Sequence, residues 1–140
     1  MAYQPESVSV LIEHLDSAGF ELVRESRGGM GGVQLIYEGV LDGVAAWVEI
    51  NADRGQWQAL LGFGGVGEGH GGGSWAAYLD GTEISSWDID HEVGFIVERG
   101  VEAAAAWRRD PATERKMVEA GRAYMERWYA ERRRGNESTD

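Results

Sequence analysis

Val33-Gln34-Leu35-Ile36-Tyr37-Glu38-Gly39-Val40-Leu41-Asp42-Gly43-Val44-Ala45-Ala46-Trp47-Val48-Glu49-Ile50 is the stretch from which the fold can be read. Two strand-like runs flank Asp42-Gly43, the residue pair that a two-residue type I′ turn prefers. Such a turn sets the register, with Leu41 opposite Val44, Gly39 opposite Ala46, Tyr37 opposite Val48 and Leu35 opposite Ile50. That apolar face is the expected core. The other face pairs Val40 with Ala45, Glu38 with Trp47 and Ile36 with Glu49, a mixed set that predicts at least partial solvation.

Working outward, Val8, Leu11, Ile12 and Leu15 recur at helical spacing and predict a helix from about Pro5 to Ala18. Gly19 suits its left-handed end, with Phe20 packing back on Leu15. Phe20 to Glu25 reads as a short strand, and Gly28 to Gly32 as a connection that permits a turn without specifying one. Trp57, Ala59, Leu61 and Phe63 alternate on a further strand reached through Asn51 to Gly55. A second Asp-Gly pair, Asp80-Gly81, predicts a second hairpin of Trp75 to Leu79 with Thr82 to Ser86, placing Tyr78 opposite Glu83.

The rest reads as helix. Ile89, Val93, Ile96, Val97, Val101, Ala104 and Ala105 form one stripe behind the first-turn acids Asp88, Asp90 and Glu92. Asp110-Pro111 opens another helix that carries Met117 or Val118, Gly121, Tyr124, Met125 and Trp128 and ends near Gly135. Gly94 and Gly100 predict a bend or a close approach, and the Ala103 to Ala106 run is expected to face Gly121. The expected fold class is α+β: an N-terminal helix, an antiparallel meander of five to six strands, and two C-terminal helices packed on one sheet face. Residues 1–135 form a single domain, and 136–140 a disordered tail.

Charge divides the chain. The net charge is -11, of which residues 1–27 contribute -3, residues 28–98 contribute -10 and residues 99–140 contribute +2. Over residues 28–98 eleven acids face one base, Arg54. That field opposes nucleic acid and anionic membrane as partners and favours a basic protein surface. With no cysteine in the chain there are no disulfides, thiolate metal sites or cysteine nucleophiles. No run approaches the length of a membrane span, and Met1 to Glu6 lacks the basic and apolar regions of a secretory signal, so a cytoplasmic location is expected.

Motifs for catalysis are weak. Gly62 to Gly73 holds eight glycines in twelve residues, and G-x-G-x-x-G spacing in so dense a run carries little information. A dinucleotide site also needs a helix opening at the glycines, and Glu68 to Ser74 shows no helical stripe. The expectation is a mobile loop between strands. Asp88, Asp90, His91 and Glu92 are the tightest candidate metal cluster, but first-turn acids are explained by the helix dipole, and no metal or other cofactor is expected. No serine sits in a nucleophile elbow. Glu38 and Glu49 lie diagonally on one face, roughly 7 to 8 Å apart by backbone, a separation seen in glycosidase carboxylate pairs. Solvated face charges account for them as well, and no catalytic residue is assigned.

Aromatic residues beside carboxylates are more informative. Glu38, Trp47, Glu49, Tyr78 and Glu83 would together make an acidic, aromatic-bearing sheet face. The expected function is therefore a non-enzymatic acidic module that engages and inhibits a basic partner, of the immunity or anti-defence kind. Two alternatives stand beside it: a small hydrolase or ligand-binding protein using the same carboxylates, and a homo-oligomeric subunit pairing through Tyr124, Trp128 and Tyr129 of the C-terminal helix. No motif carries a resemblance to a known family.

Overall fold

A computed structural model describes residues 4–28, 32–64 and 68–137. The element order is α1 (Glu6–Ser17), β1 (Glu21–Arg27), β2 (Val33–Leu41), β3 (Val44–Asp53), β4 (Gln56–Phe63), α2 (Gly72–Asp80), α3 (Ile89–Arg109) and α4 (Thr113–Glu137). The strands form one antiparallel sheet in sequence order.

The expected hairpin register holds at every pair from Leu35↔Ile50 to Leu41↔Val44, with Glu38 opposite Trp47. Asp42 and Gly43 both take positive φ, +49° and +76°, as a type I′ turn requires. Arg54 and Gly55 repeat the device at +53° and +79° between β3 and β4. Side-chain alternation then puts Leu35, Tyr37, Val48, Ile50, Ala59, Leu61 and Phe63 on one face, all buried. α3 lies across that face nearest β4, α1 packs beside it, and α2 packs on α3. Val8, Leu11 and Leu15 supply the buried side of α1. Its end is closed as expected, by Gly19 at φ +84° and the Phe20 amide donating to the Leu15 carbonyl at 2.9 Å.

The second hairpin does not form. Residues 72–80 are a helix, so the sheet has four strands rather than five or six, and three helices follow it. Gly81, at φ +68° and ψ 33°, ends α2, with the Thr82 amide donating to the Ala77 carbonyl at 3.0 Å. Asp-Gly serves here as a helix stop rather than a turn. The glycine-rich stretch accordingly joins strand to helix: Gly62 belongs to β4, and Gly72 and Gly73 open α2. Residues 65–67 of the expected loop lie outside the described residues, as do 29–31 of the first glycine connection and 138–140 of the expected tail. α4 continues to Glu137.

Both sheet edges are managed. β1 is exposed at all seven residues, with a register shift between Leu22 and Arg24 and four charged side chains. β4 is covered instead. Leu61 and His70 exchange two backbone hydrogen bonds of 2.9 Å, and the indole N–H of the fully buried Trp75 donates to the Leu61 carbonyl at 2.9 Å. Gly100 makes the close approach expected of it, a Cβ there standing 3.4 Å from Leu41, whereas Gly121 has nothing within 4 Å and does not meet the alanine run. Ala103 and Ala104 belong to the core. Among the described residues no helix is long and apolar enough to cross a membrane.

Candidate functional site

The outer sheet face can be assigned residue by residue from the register. One row across it runs Glu21, Glu38, Trp47, Gly62, and the next runs Arg24, Ile36, Glu49, Leu60. At its β4 end this face borders a cleft, where Gln58 and Leu60 stand with Trp87 and with Tyr124 and Met125 of α4; at its β1 end Glu21 and Glu38 are exposed. The Trp47 indole reaches across Gly62 and Gly69, where a Cβ at either glycine would collide with its ring. Glycine on the neighbouring strand thus holds a large aromatic in one orientation. Beside it Glu38 is exposed, and Glu49 accepts a 2.8 Å hydrogen bond from the Asn51 side chain.

Glu21 is the residue the sequence did not bring to this face. It stands directly opposite Glu38, a like-charge cross-strand pair that costs a sheet stability. Among the described residues neither carboxylate forms an ion pair. Two acidic side chains therefore stand at facing positions beside the indole, with Arg24 in the next row of the same face.

Tyr78 and Glu83 sit elsewhere. Tyr78 is on α2, where its hydroxyl is 3.1 Å from Thr113 Oγ1 and 3.4 Å from Asp110 Oδ2, tying α2 to the α3–α4 junction. Lys116, 2.6 Å from that Asp110 carboxylate, holds it below the usual carboxylate range. Glu83 is exposed in the segment after α2 and borders a cleft with Arg127 and Trp128 of α4. The structure brings Glu38, Trp47 and Glu49 together and separates the other two from them.

Glu92 is not the dipole-directed surface acid its first-turn position predicts. Only 7% exposed, its carboxyl is pushed up to about 7 by burial, against which hydrogen bonds from the Ala59 and Gly72 amides act. It serves three elements at once: it is anchored on α3, satisfies the free edge of β4 and occupies the N-terminus of α2. A helix does open at the glycines, but its anion position is filled by the protein's own carboxylate. A phosphate there would meet negative charge, and Gly71 leaves room for Glu92 rather than for a ligand. Asp88, by contrast, stands one position before the first turn as the N-cap of α3, accepting from the His91 amide at 2.9 Å.

A cleft of about 300 Å³ opens beside Glu92, bordered by Ser74, Ser85, Trp87 and Tyr124. A neighbouring groove of about 460 Å³ runs between α4 and Glu68 and His70. His70 Nε2 lies 3.4 Å from Glu114 Oε2, an ion-pair distance for a protonated ring, yet the groups are not aligned for a hydrogen bond. Among the described residues no three His, Asp or Glu side chains are grouped to hold a metal ion. Comparison with family models, with curated proteins and with solved structures gave no match to this chain.

Proposed function

We propose that this protein is a non-enzymatic acidic binding module that engages and blocks a basic protein partner through the outer face of its sheet, centred on Glu21, Glu38, Trp47 and Glu49. The observation that carries the reading is the Glu21–Glu38 cross-strand pair beside Trp47, neither member of which forms an ion pair among the described residues. Like charges opposed across a sheet lower stability, and an arginine or lysine from a partner converts that cost into binding energy. The indole supplies a rigid apolar anchor of the type that dominates protein interfaces. A net charge of -11 steers a basic protein toward the molecule.

Less supports the hydrolase alternative. Both clefts beside α4 are bordered by residues other than Glu38 and Glu49; Glu38 is exposed, and Glu49 is engaged by the Asn51 side chain.

The full chain, immobilised, captures the partner from lysate of its own cells, and calorimetry then measures affinity. Joint Glu38→Gln and Glu49→Gln substitution weakens binding by about tenfold or more, while Glu83→Gln leaves it unchanged. A captured partner with an acidic contact surface, or full affinity in the Glu38/Glu49 variant, refutes the proposal.

A further inference from the structure

α4 outruns the body it packs on. Its 25 residues span about 37 Å at the rise of an α-helix. Thr113 and Met117 are buried, whereas Met125, Trp128 and Tyr129 are 41%, 37% and 53% exposed.

Two stripes run along this helix. Met117, Ala120 and Tyr124 face the body, bordering clefts with Ala77, Tyr78 and Ile84, the second of which Trp128 also borders. Glu114, Val118, Gly121, Met125, Trp128 and Arg132 follow one another at alternating steps of four and three, the spacing of a coiled-coil seam. The second stripe adjoins the 460 Å³ groove, whose far wall is Glu68 and His70. The His70 side chain is only 10% exposed, and its Nε2 has no hydrogen-bond partner among the described residues.

We infer that this groove and the free half of α4 form a two-fold docking surface for a second copy of the chain, the two α4 helices running antiparallel with Gly121 against the partner's Met125. Charge selects both occupant and direction. On the free half Arg122, Arg127 and Arg132 to Arg134 outnumber Glu126 and Glu131, while the other end of the groove presents Glu68 and Glu114; of the two bases beside Glu114, Lys116 is already paired with Asp110 and Arg115 is exposed. Antiparallel pairing lays the three terminal arginines of each copy over the acids of the other, and it does so twice, by symmetry. Parallel pairing would stack arginine on arginine.

The apolar positions agree with this register. Val118 meets the partner's Trp128, Glu114 meets the partner's Arg132, and the open space at Gly121 receives the partner's Met125. The partner's Trp128 then closes the groove over His70. Opposed helix dipoles add to the preference. These residues are not those of the sheet face, so the two proposals stand or fall separately.

Sedimentation velocity on the full chain gives a dimer that dissociates at about 10 µM, at the weak end of specific interfaces. Trp128→Glu leaves a monomer at every concentration with an unchanged circular dichroism spectrum. Since the chain has no cysteine, single cysteines report register directly. Gly121→Cys and Met125→Cys chains, mixed and oxidised, cross-link to each other, and neither cross-links alone. A wild-type monomer at about 500 µM, tens of times that constant, overturns the inference. So does self-cross-linking of either single variant, which marks a parallel pair, and so does open-ended growth with concentration, which marks head-to-tail contact.

Discussion

Asp42-Gly43 and Asp80-Gly81 are the same dipeptide in two structures. In the first, both residues are left-handed and the chain reverses between β2 and β3. In the second, Asp80 is the last helical residue and only Gly81, at φ +68°, is left-handed. What differs is the sequence that leads in. Valines and isoleucines precede and follow Asp42, whereas Trp75-Ala76-Ala77-Tyr78-Leu79 contains three strong helix formers. Trp75, Tyr78 and Leu79 also fall at i, i+3 and i+4, so one helix face carries them all. Asp-Gly thus dictates a left-handed residue, and its neighbours decide whether that residue closes a hairpin or a helix.

Local preference alone does not hold α2. At nine residues it is too short to persist in isolation. Its tertiary ties include the Trp75 indole on the Leu61 carbonyl, the Glu92 carboxyl at its first turn and the Tyr78 hydroxyl at the α3–α4 junction. The largest expected effect follows from the first. Trp75→Ala removes a fully buried indole and its hydrogen bond and lowers unfolding free energy by about 3–5 kcal/mol. Trp47→Ala, on the outer face, costs about 1–2 kcal/mol by area bookkeeping. Urea denaturation of both variants checks this, and equal losses would mean that α2 is not anchored as described.

Glu92 gives the next effect, through pH. Its pKa is about 7 when folded and ordinary when unfolded, so the folded chain binds the extra proton between those values. The associated stability is fully present below the unfolded pKa and is lost as pH rises through about 7, by up to about 3 kcal/mol. Urea midpoints measured from pH 4.5 to 8 should therefore fall for wild type relative to Glu92→Gln. Parallel curves would contradict the burial of an ionising carboxyl.

Smaller effects separate the two Asp-Gly sites. Gly43→Ala and Gly81→Ala each force alanine to positive φ and cost about 1 kcal/mol. Asp42→Ala adds to that strain, since Asp42 is itself left-handed. Asp80→Ala meets no such strain and loses only an exposed pair with Arg99, the least effect of the series. Thermal midpoints rank the four, and a larger loss for Asp80→Ala than for Asp42→Ala would break the distinction.

These ties explain which parts of the fold could be read in advance. The β2–β3 register needed only a turn type and alternation, and with it came the shared face of Glu38, Trp47 and Glu49. Glu21 could not be placed, because a glycine connection of unspecified geometry separates its strand from β2 and a bulge shifts the pairing after Leu22. Trp75, Ala77 and Leu79 alternate as a strand would, a pattern that places Tyr78 and Glu83 on a sheet their helix-forming neighbours exclude. Glu92 matched a first-turn acid by position. Its burial depends on Gly71 and on a strand edge some thirty residues earlier, contacts that no local pattern encodes.

If the carboxylates of the outer face carry binding, association must weaken as salt rises. Association of the captured partner is measured against sodium chloride concentration for wild type and for a Glu21→Gln, Glu38→Gln, Glu49→Gln triple variant. Wild type weakens steeply as salt rises, and the triple variant is both weaker by about tenfold or more at low salt and flatter in its dependence. Superimposable curves for the two proteins would contradict that role for the carboxylates.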